Sequence, residues 1–153
     1  MGERLSWNQY FLMITRQVAE RSTCLRAKVG AVIVRDRSIL ATGYNGAPAG
    51  MPHCLDVGCL IYRSETPDGE IEENCFRTIH AEINAIAQAA RNGASIRDAS
   101  AYITHSPCIH CLKTLVNTGI KHIFYEKPYK LHTLDDIVRH TEVTLEQVEM
   151  PAA

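Results

Sequence analysis

The sequence predicts an α/β fold, on three observations. Apolar Trp7, Tyr10, Phe11, Ile14 and Val18 recur at helical intervals near the N-terminus. Two short apolar runs follow, "VGAVIV" (29–34) and "ILATGY" (39–44), separated by charged "RDR". Farther along, strand-like "ASAYITH" (99–105) and "KHIFYE" (121–126) alternate with helical segments, which is the pattern of parallel crossovers with helices on the sheet faces.

In chain order, Ser6 and Gln9 have capping-box spacing and open a helix over about 7–21. The runs at 29–34 and 39–44 form a hairpin apolar enough to be covered on both faces. Residues 45–75 have no sustained period and contain Pro48, Pro52 and Pro67 with Cys54, Cys59 and Cys75. A loop this long inside a compact domain is functional or braced. Thr78 caps the helix holding "TIHAEINAI", and Gly93 ends it. Ser106 followed by Pro107 starts the next helix, which Gly119 stops. "TLDDIVRHT" (133–141) reads as a helix and "VTLEQV" (143–148) as a last strand. The order is α-β-β-α-β-α-β-α-β in one domain spanning 1–153, with a Cys-containing insertion at about 45–75.

Composition narrows the function. A chain of 153 residues, 46% hydrophobic and 22% charged, can bury a substantial core. A net charge of −1 argues against a large nucleic-acid footprint. No run approaches the roughly 20 apolar residues of a membrane span. "MGERLSWNQYFLM" is acidic and polar where a signal peptide is apolar, so a cytoplasmic location is expected. Six cysteines in a reducing compartment point to metal binding or catalysis before disulfides.

The chemistry lies in "HAE" (80–82) and "PCIHC" (107–111). Cys108 and Cys111, three apart at a helix start, can reach one point, and His80 starts another helix. If the two helix starts lie side by side, one imidazole and two thiolates meet at a zinc ion and leave a fourth position for water, the open arrangement of a catalytic site. Such an ion lowers the pKa of bound water to roughly 7. Glu82 lies about 200° around the helix from His80, so it is free of the metal and placed to move protons. H-x-E with P-C-x-x-C is the signature of zinc deaminases. It implies hydrolysis at an amidine-like ring carbon bearing an exocyclic amine. Glu82 takes the water proton and protonates the ring nitrogen, and then protonates the leaving amine, which departs as ammonia. The competing readings are a core histidine for His80 and half of a structural zinc knuckle for the cysteines. A purely structural zinc leaves Glu82 without a role.

The chain also resembles the deoxycytidylate deaminases of the cytidine deaminase superfamily, through "WNQYF", "RSTC", "KVGAVIV", "GYNGAPAG", "RTIHAEINAI", "YITHSPCIHC" and "GIKHIFY". This resemblance implies a three-layer α/β/α fold around a five-stranded mixed sheet. It implies conversion of dCMP to dUMP and ammonia for thymidylate supply, in oligomers that are often hexamers, with dCTP and dTTP as effectors. Carried over by position, His80, Cys108 and Cys111 hold zinc and Glu82 shuttles protons. Asn45 contacts the sugar, and backbone at Ala81 and Ser106 contacts the base; Asn45 is otherwise a turn residue in "YNG".

The phosphate needs cationic or hydroxyl donors, and Arg26, Lys28, Tyr129 and Lys130 are candidates by placement. Arg91 has a helix-dipole explanation. Some relatives carry a second zinc that braces the insertion. Cys24 and Cys54 fall at corresponding positions, and Cys75, Cys59 or His53 could complete a tetrahedral set. Small buried thiols are the alternative. The competing activities are tRNA adenosine deamination, deamination of another cytosine nucleoside or nucleotide, and a non-catalytic zinc module.

Overall fold

The computed structural model describes residues 2–152. Helix α1 (Trp7–Ala19) begins at the predicted capping box: the Gln9 amide donates to the Ser6 hydroxyl at 3.1 Å, and the Ser6 amide donates to the Gln9 side chain at 3.0 Å. Strands β1 (Gly30–Arg35) and β2 (Ser38–Tyr44) form the expected hairpin. Strand β1 is buried along its length, whereas β2 is an edge strand whose first residues are exposed, so cover on both faces holds only for β1.

The insertion is not a bare loop. It contains a one-turn helix α2 (Cys54–Val57) and a hairpin, β3 (Ile61–Glu65) with β4 (Ile71–Cys75). Its two ends are joined where Gly46 and Ile79 exchange backbone hydrogen bonds of 3.2 and 2.8 Å.

Helix α3 (Ala81–Asn92) starts after His80, so Thr78 does not cap it. Gly93 ends it as expected, in the left-handed conformation with φ 69°. Strand β5 (Ser100–His105) leads to α4 (Ile109–Asn117), whose N-cap is Cys108 and not Ser106. The reason is non-local. The Ser106 hydroxyl accepts from the Tyr129 amide at 2.6 Å and donates to the Tyr129 carbonyl at 3.0 Å, so it is not available to cap. Strand β6 (His122–Lys127) precedes a 3₁₀ turn (Leu131–Leu134), helix α5 (Asp135–His140) and strand β7 (Thr144–Gln147). The single helix expected at 133–141 is thus shorter and begins as 3₁₀.

The main sheet is five-stranded and mixed, in the order β2-β1-β5-β6-β7. Strand β1 is antiparallel to both neighbours, while β5, β6 and β7 are parallel. Alternate residues face opposite sides. Val32, Val34 and Tyr102 pack with Phe11 and Leu12 of α1 on one face. Ala31, Ile33, Ala101, Ile103 and Ile123 pack with Ala81, Ala85 and Ala89 of α3 and Leu112 and Leu115 of α4 on the other. This is the predicted three-layer α/β/α arrangement. No helix among the described residues is long and apolar enough to cross a membrane.

Candidate metal centre and proton-transfer site

Strands β2 and β5 run the same way with β1 between them, so the helices that follow each of them, α3 and α4, begin at the same edge of the sheet. Close packing brings them together. Gly43 of β2 lies so close to α3 that an added Cβ would collide with the Ala81 carbonyl and the Ala85 amide. The Asn84 side chain donates to the Tyr44 carbonyl at 2.8 Å, tying the first turn of α3 to the end of β2.

The predicted donors converge. His80 Nδ1 is 3.3 Å from Cys111 Sγ and 3.5 Å from Cys108 Sγ, and all three donor atoms lie within 4.8 Å of one another. Around one tetrahedral zinc with ordinary bond lengths, an imidazole nitrogen and a thiolate sulfur stand about 3.6 Å apart. The spacing therefore fits one ion, with His80 and Cys108 at helix N-caps and Cys111 buried in the first turn of α4. Cys108 is held down to about 4, first by its hydrogen bond with Cys111 and also by His80. Cys111 is pushed up, chiefly by the same hydrogen bond and by burial. His80 is raised, mainly by its hydrogen bond with Cys108. A thiolate at a helix start beside imidazole is a ready cation ligand.

Glu82 is 5% exposed. Burial holds its carboxyl above the usual carboxylate range, against the pull of Cys111 and His80. A buried carboxyl beside the metal ligands is placed to act as a general acid–base.

The expected substrate contacts fare unequally. Ala81 is the first residue of α3, where N–H groups have no intrahelical acceptor. The Ser106 amide already donates to the Lys127 carbonyl at 2.9 Å, so the backbone group it can offer is its carbonyl. The Asn45 side chain is buried and structural: its carbonyl accepts from the Val29 amide at 2.9 Å, and its NH2 donates to the Ala27 carbonyl at 2.7 Å. Among the candidate phosphate groups, Lys28 pairs with Glu20 at 2.9 Å, Arg26 donates to the Glu73 carbonyl at 3.0 Å, and Lys130 pairs with Glu72 at 2.8 Å.

A second cluster forms in the insertion from Cys54, Cys59 and Cys75, whose sulfurs lie within 4.8 Å of one another. Cys54 and Cys75 are 3.8 Å apart, the edge length of about 3.8 Å expected for two thiolates on one tetrahedral zinc. Burial works to raise Cys75, but N–H groups of Leu60, Arg77 and Thr78 aim at its sulfur and bring it down to about 6. Cys24 lies outside this trio, with its sulfur accepting the Arg26 amide at 3.4 Å. Cys59 joins Cys54 and Cys75 in the trio, and Cys24 lies near enough for its charge to act on Cys59.

The fold and the three converging donors beside Glu82 define a zinc-site protein of the deaminase type. The chain belongs to the cytidine and deoxycytidylate deaminase family: residues 5–127 match its description, "Cytidine and deoxycytidylate deaminase zinc-binding region". It is 46% identical over 149 residues to ComE operon protein 2 of Bacillus subtilis, covering 97% of this chain and 74% of that protein. It is 35% identical over 163 residues to the deoxycytidylate deaminase of Enterobacteria phage T4, covering 86% of this chain and 84% of that one. To the Saccharomyces cerevisiae deoxycytidylate deaminase it is 36% identical over 128 residues, but the match spans only 40% of the yeast protein. Among solved structures it resembles the dCMP deaminase of cyanophage S-TIM5 in complex with dCMP and dUMP, with TM-score 0.76, 29% identity, and coverage of 96% of this chain and 100% of that one.

Proposed function

We propose that this protein hydrolyses dCMP to dUMP and ammonia at a zinc ion held by His80, Cys108 and Cys111, with Glu82 as the proton carrier. The observation that carries the reading is the convergence of those three donors beside a buried carboxyl that is not one of them. The relatives named deoxycytidylate deaminase and the dCMP-bound structure support the choice of base and phosphate. When bound, zinc supplies a water of lowered pKa at the open position. Glu82 would move two protons in turn, one from the attacking water to the ring nitrogen, where it stays, and one from the hydroxyl thereby added to the ring carbon to the amine, which leaves as ammonia. The Ala81 amide and the Ser106 carbonyl offer one donor and one acceptor to the base edge. The Asn45 side chain fixes residues 27–29 and acts on the sugar pocket mainly by shaping it.

The reading extends to a second zinc, held by Cys54, Cys59 and Cys75, with Cys24, whose charge acts on Cys59, or His53, next to Cys54 in sequence, to complete the set. Its role is structural, since it ties α2 to the end of β4. The reading also includes self-association, supported by exposed Leu60, Ile61, Ile71 and Phe76 on the insertion, and response to dCTP and dTTP.

Ammonia release from dCMP, CMP, dCTP and deoxycytidine, measured side by side on zinc-loaded protein, tests the assignment. dCMP is expected to give the highest kcat/KM. Turnover of deoxycytidine with none of dCMP, or turnover confined to tRNA, overturns it.

A further inference from the structure

Lys130 is placed unusually. It has φ 43°, a left-handed conformation rare for a side-chain-bearing residue. Its carbonyl accepts from the Thr133 amide at 3.1 Å and the Thr133 hydroxyl at 2.7 Å. The residue before it, Tyr129, is clamped through both its amide and its carbonyl to the hydroxyl of Ser106. Ser106 stands directly before Pro107 and the metal-site residue Cys108. The Lys130 backbone is thus fixed relative to the reaction centre, and only its four-carbon side chain is free to choose a partner. In this structure that partner is Glu72 of β4, at 2.8 Å, with the lysine side chain 37% and the carboxylate 30% exposed. A second strap runs the same way, from the Arg26 guanidinium to the Glu73 carbonyl at 3.0 Å. The insertion hairpin therefore lies across Arg26 and Lys130, two of the candidate cations for the substrate phosphate.

We infer that Glu72 is a specificity-determining residue: its carboxylate competes with the substrate's phosphate for Lys130. This rests on the reading of the site as a dCMP deaminase. A phosphate arriving at Lys130 must displace one anion with another, and as long as Glu72 remains close it also repels the incoming charge. Glu72 therefore weakens the hold on phosphate-bearing substrates while leaving the base, the metal ligands and Glu82 untouched. The pair is partly exposed, so the competition is modest, equivalent to an affinity change of about two- to fivefold. Glu73 is a built-in control. Its carboxylate lies on the same hairpin but pairs with Arg63 at 2.9 Å, within that hairpin.

Steady-state kinetics of the zinc-loaded protein test the inference, with dCMP and deoxycytidine as substrates and wild type, Glu72→Gln, Glu73→Gln, Lys130→Ala and the Glu72→Gln/Lys130→Ala pair as enzymes. Glu72→Gln is expected to lower KM for dCMP about two- to fivefold with kcat nearly unchanged, and to leave kcat/KM for deoxycytidine unchanged. Glu73→Gln should match wild type. Lys130→Ala should raise KM for dCMP and abolish the effect of Glu72→Gln in the double variant. An unchanged KM for dCMP in Glu72→Gln overturns the inference, as does an equal gain for deoxycytidine or a gain that persists without Lys130. A wild-type protein that deaminates deoxycytidine but not dCMP overturns the underlying reading, and the competition falls with it.

Discussion

The imidazole of His80 and the sulfur of Cys111 stand 3.3 Å apart across the meeting point of two helices that begin at the same edge of the sheet. The spacing matches two corners of a zinc tetrahedron, so removing either corner should release the ion. His80→Ala and Cys111→Ser are expected to lose the catalytic zinc, with turnover falling to background. Elemental analysis after dialysis checks the metal. Full zinc occupancy in Cys111→Ser would contradict the assignment.

The insertion cluster predicts a separable loss. Cys75→Ser removes the sulfur that accepts the Leu60 amide at 3.3 Å and faces Cys54 at 3.8 Å. The variant should bind one equivalent of zinc less than wild type, and its hairpin should be cut faster by protease in the 61–75 stretch. Equal zinc content in the two proteins would leave the cluster as three plain thiols.

Gly43 predicts a packing effect on chemistry. A methyl group there would strike the Ala81 carbonyl and the Ala85 amide, so Gly43→Ala must push α3 away from β2. Overpacking of this kind costs about 1–3 kcal/mol, a drop of about 3–10 °C in Tm for a chain of this size. Because His80 and Glu82 ride on the displaced end of α3, kcat/KM should fall as well. Thermal melts and kinetics on the same preparation decide it, and unchanged values in both would contradict the close approach.

Arg16 of α1 and Glu126 of β6 predict a pH dependence of stability. The Arg16 Nε donates to Glu126 at 2.9 Å and a second guanidinium nitrogen makes a parallel contact, which holds the Glu126 carboxyl below the usual range despite partial burial. A depressed folded pKa gives stability that is complete above the unfolded value of about 4.3 and is lost as pH falls through the folded value. The pair is partly exposed, with Arg16 38% and Glu126 16% accessible, so it contributes about 1 kcal/mol or less. Glu126→Gln should lower Tm at pH 7 and flatten its decline in acid. An identical Tm profile from pH 7 to pH 3 would contradict this.

Much of this site was legible because its signals are local. The Ser6 and Gln9 capping box, the left-handed Gly93 and the H-x-E and P-C-x-x-C pairs each depend on neighbours within a few residues. What was not legible depends on distant partners. Ser106 looks like a helix cap until Tyr129, far along the chain, occupies its hydroxyl. The β3–β4 hairpin escaped because Arg63, Glu65, Ile71 and Glu73 are all exposed and no buried face imposes a period of two. The convergence of Cys59 with Cys54 and Cys75, and the pairing of Lys130 with Glu72, depend on how that hairpin folds back.

The most direct test of the central claim is the turnover of dCMP by zinc-loaded Glu82→Gln, with zinc content measured on the same sample. The amide keeps the shape of the side chain but cannot carry the proton, and the three metal ligands are untouched. Turnover should fall by about a hundred- to ten-thousandfold with zinc fully retained. Turnover close to wild type with zinc in place would contradict the account.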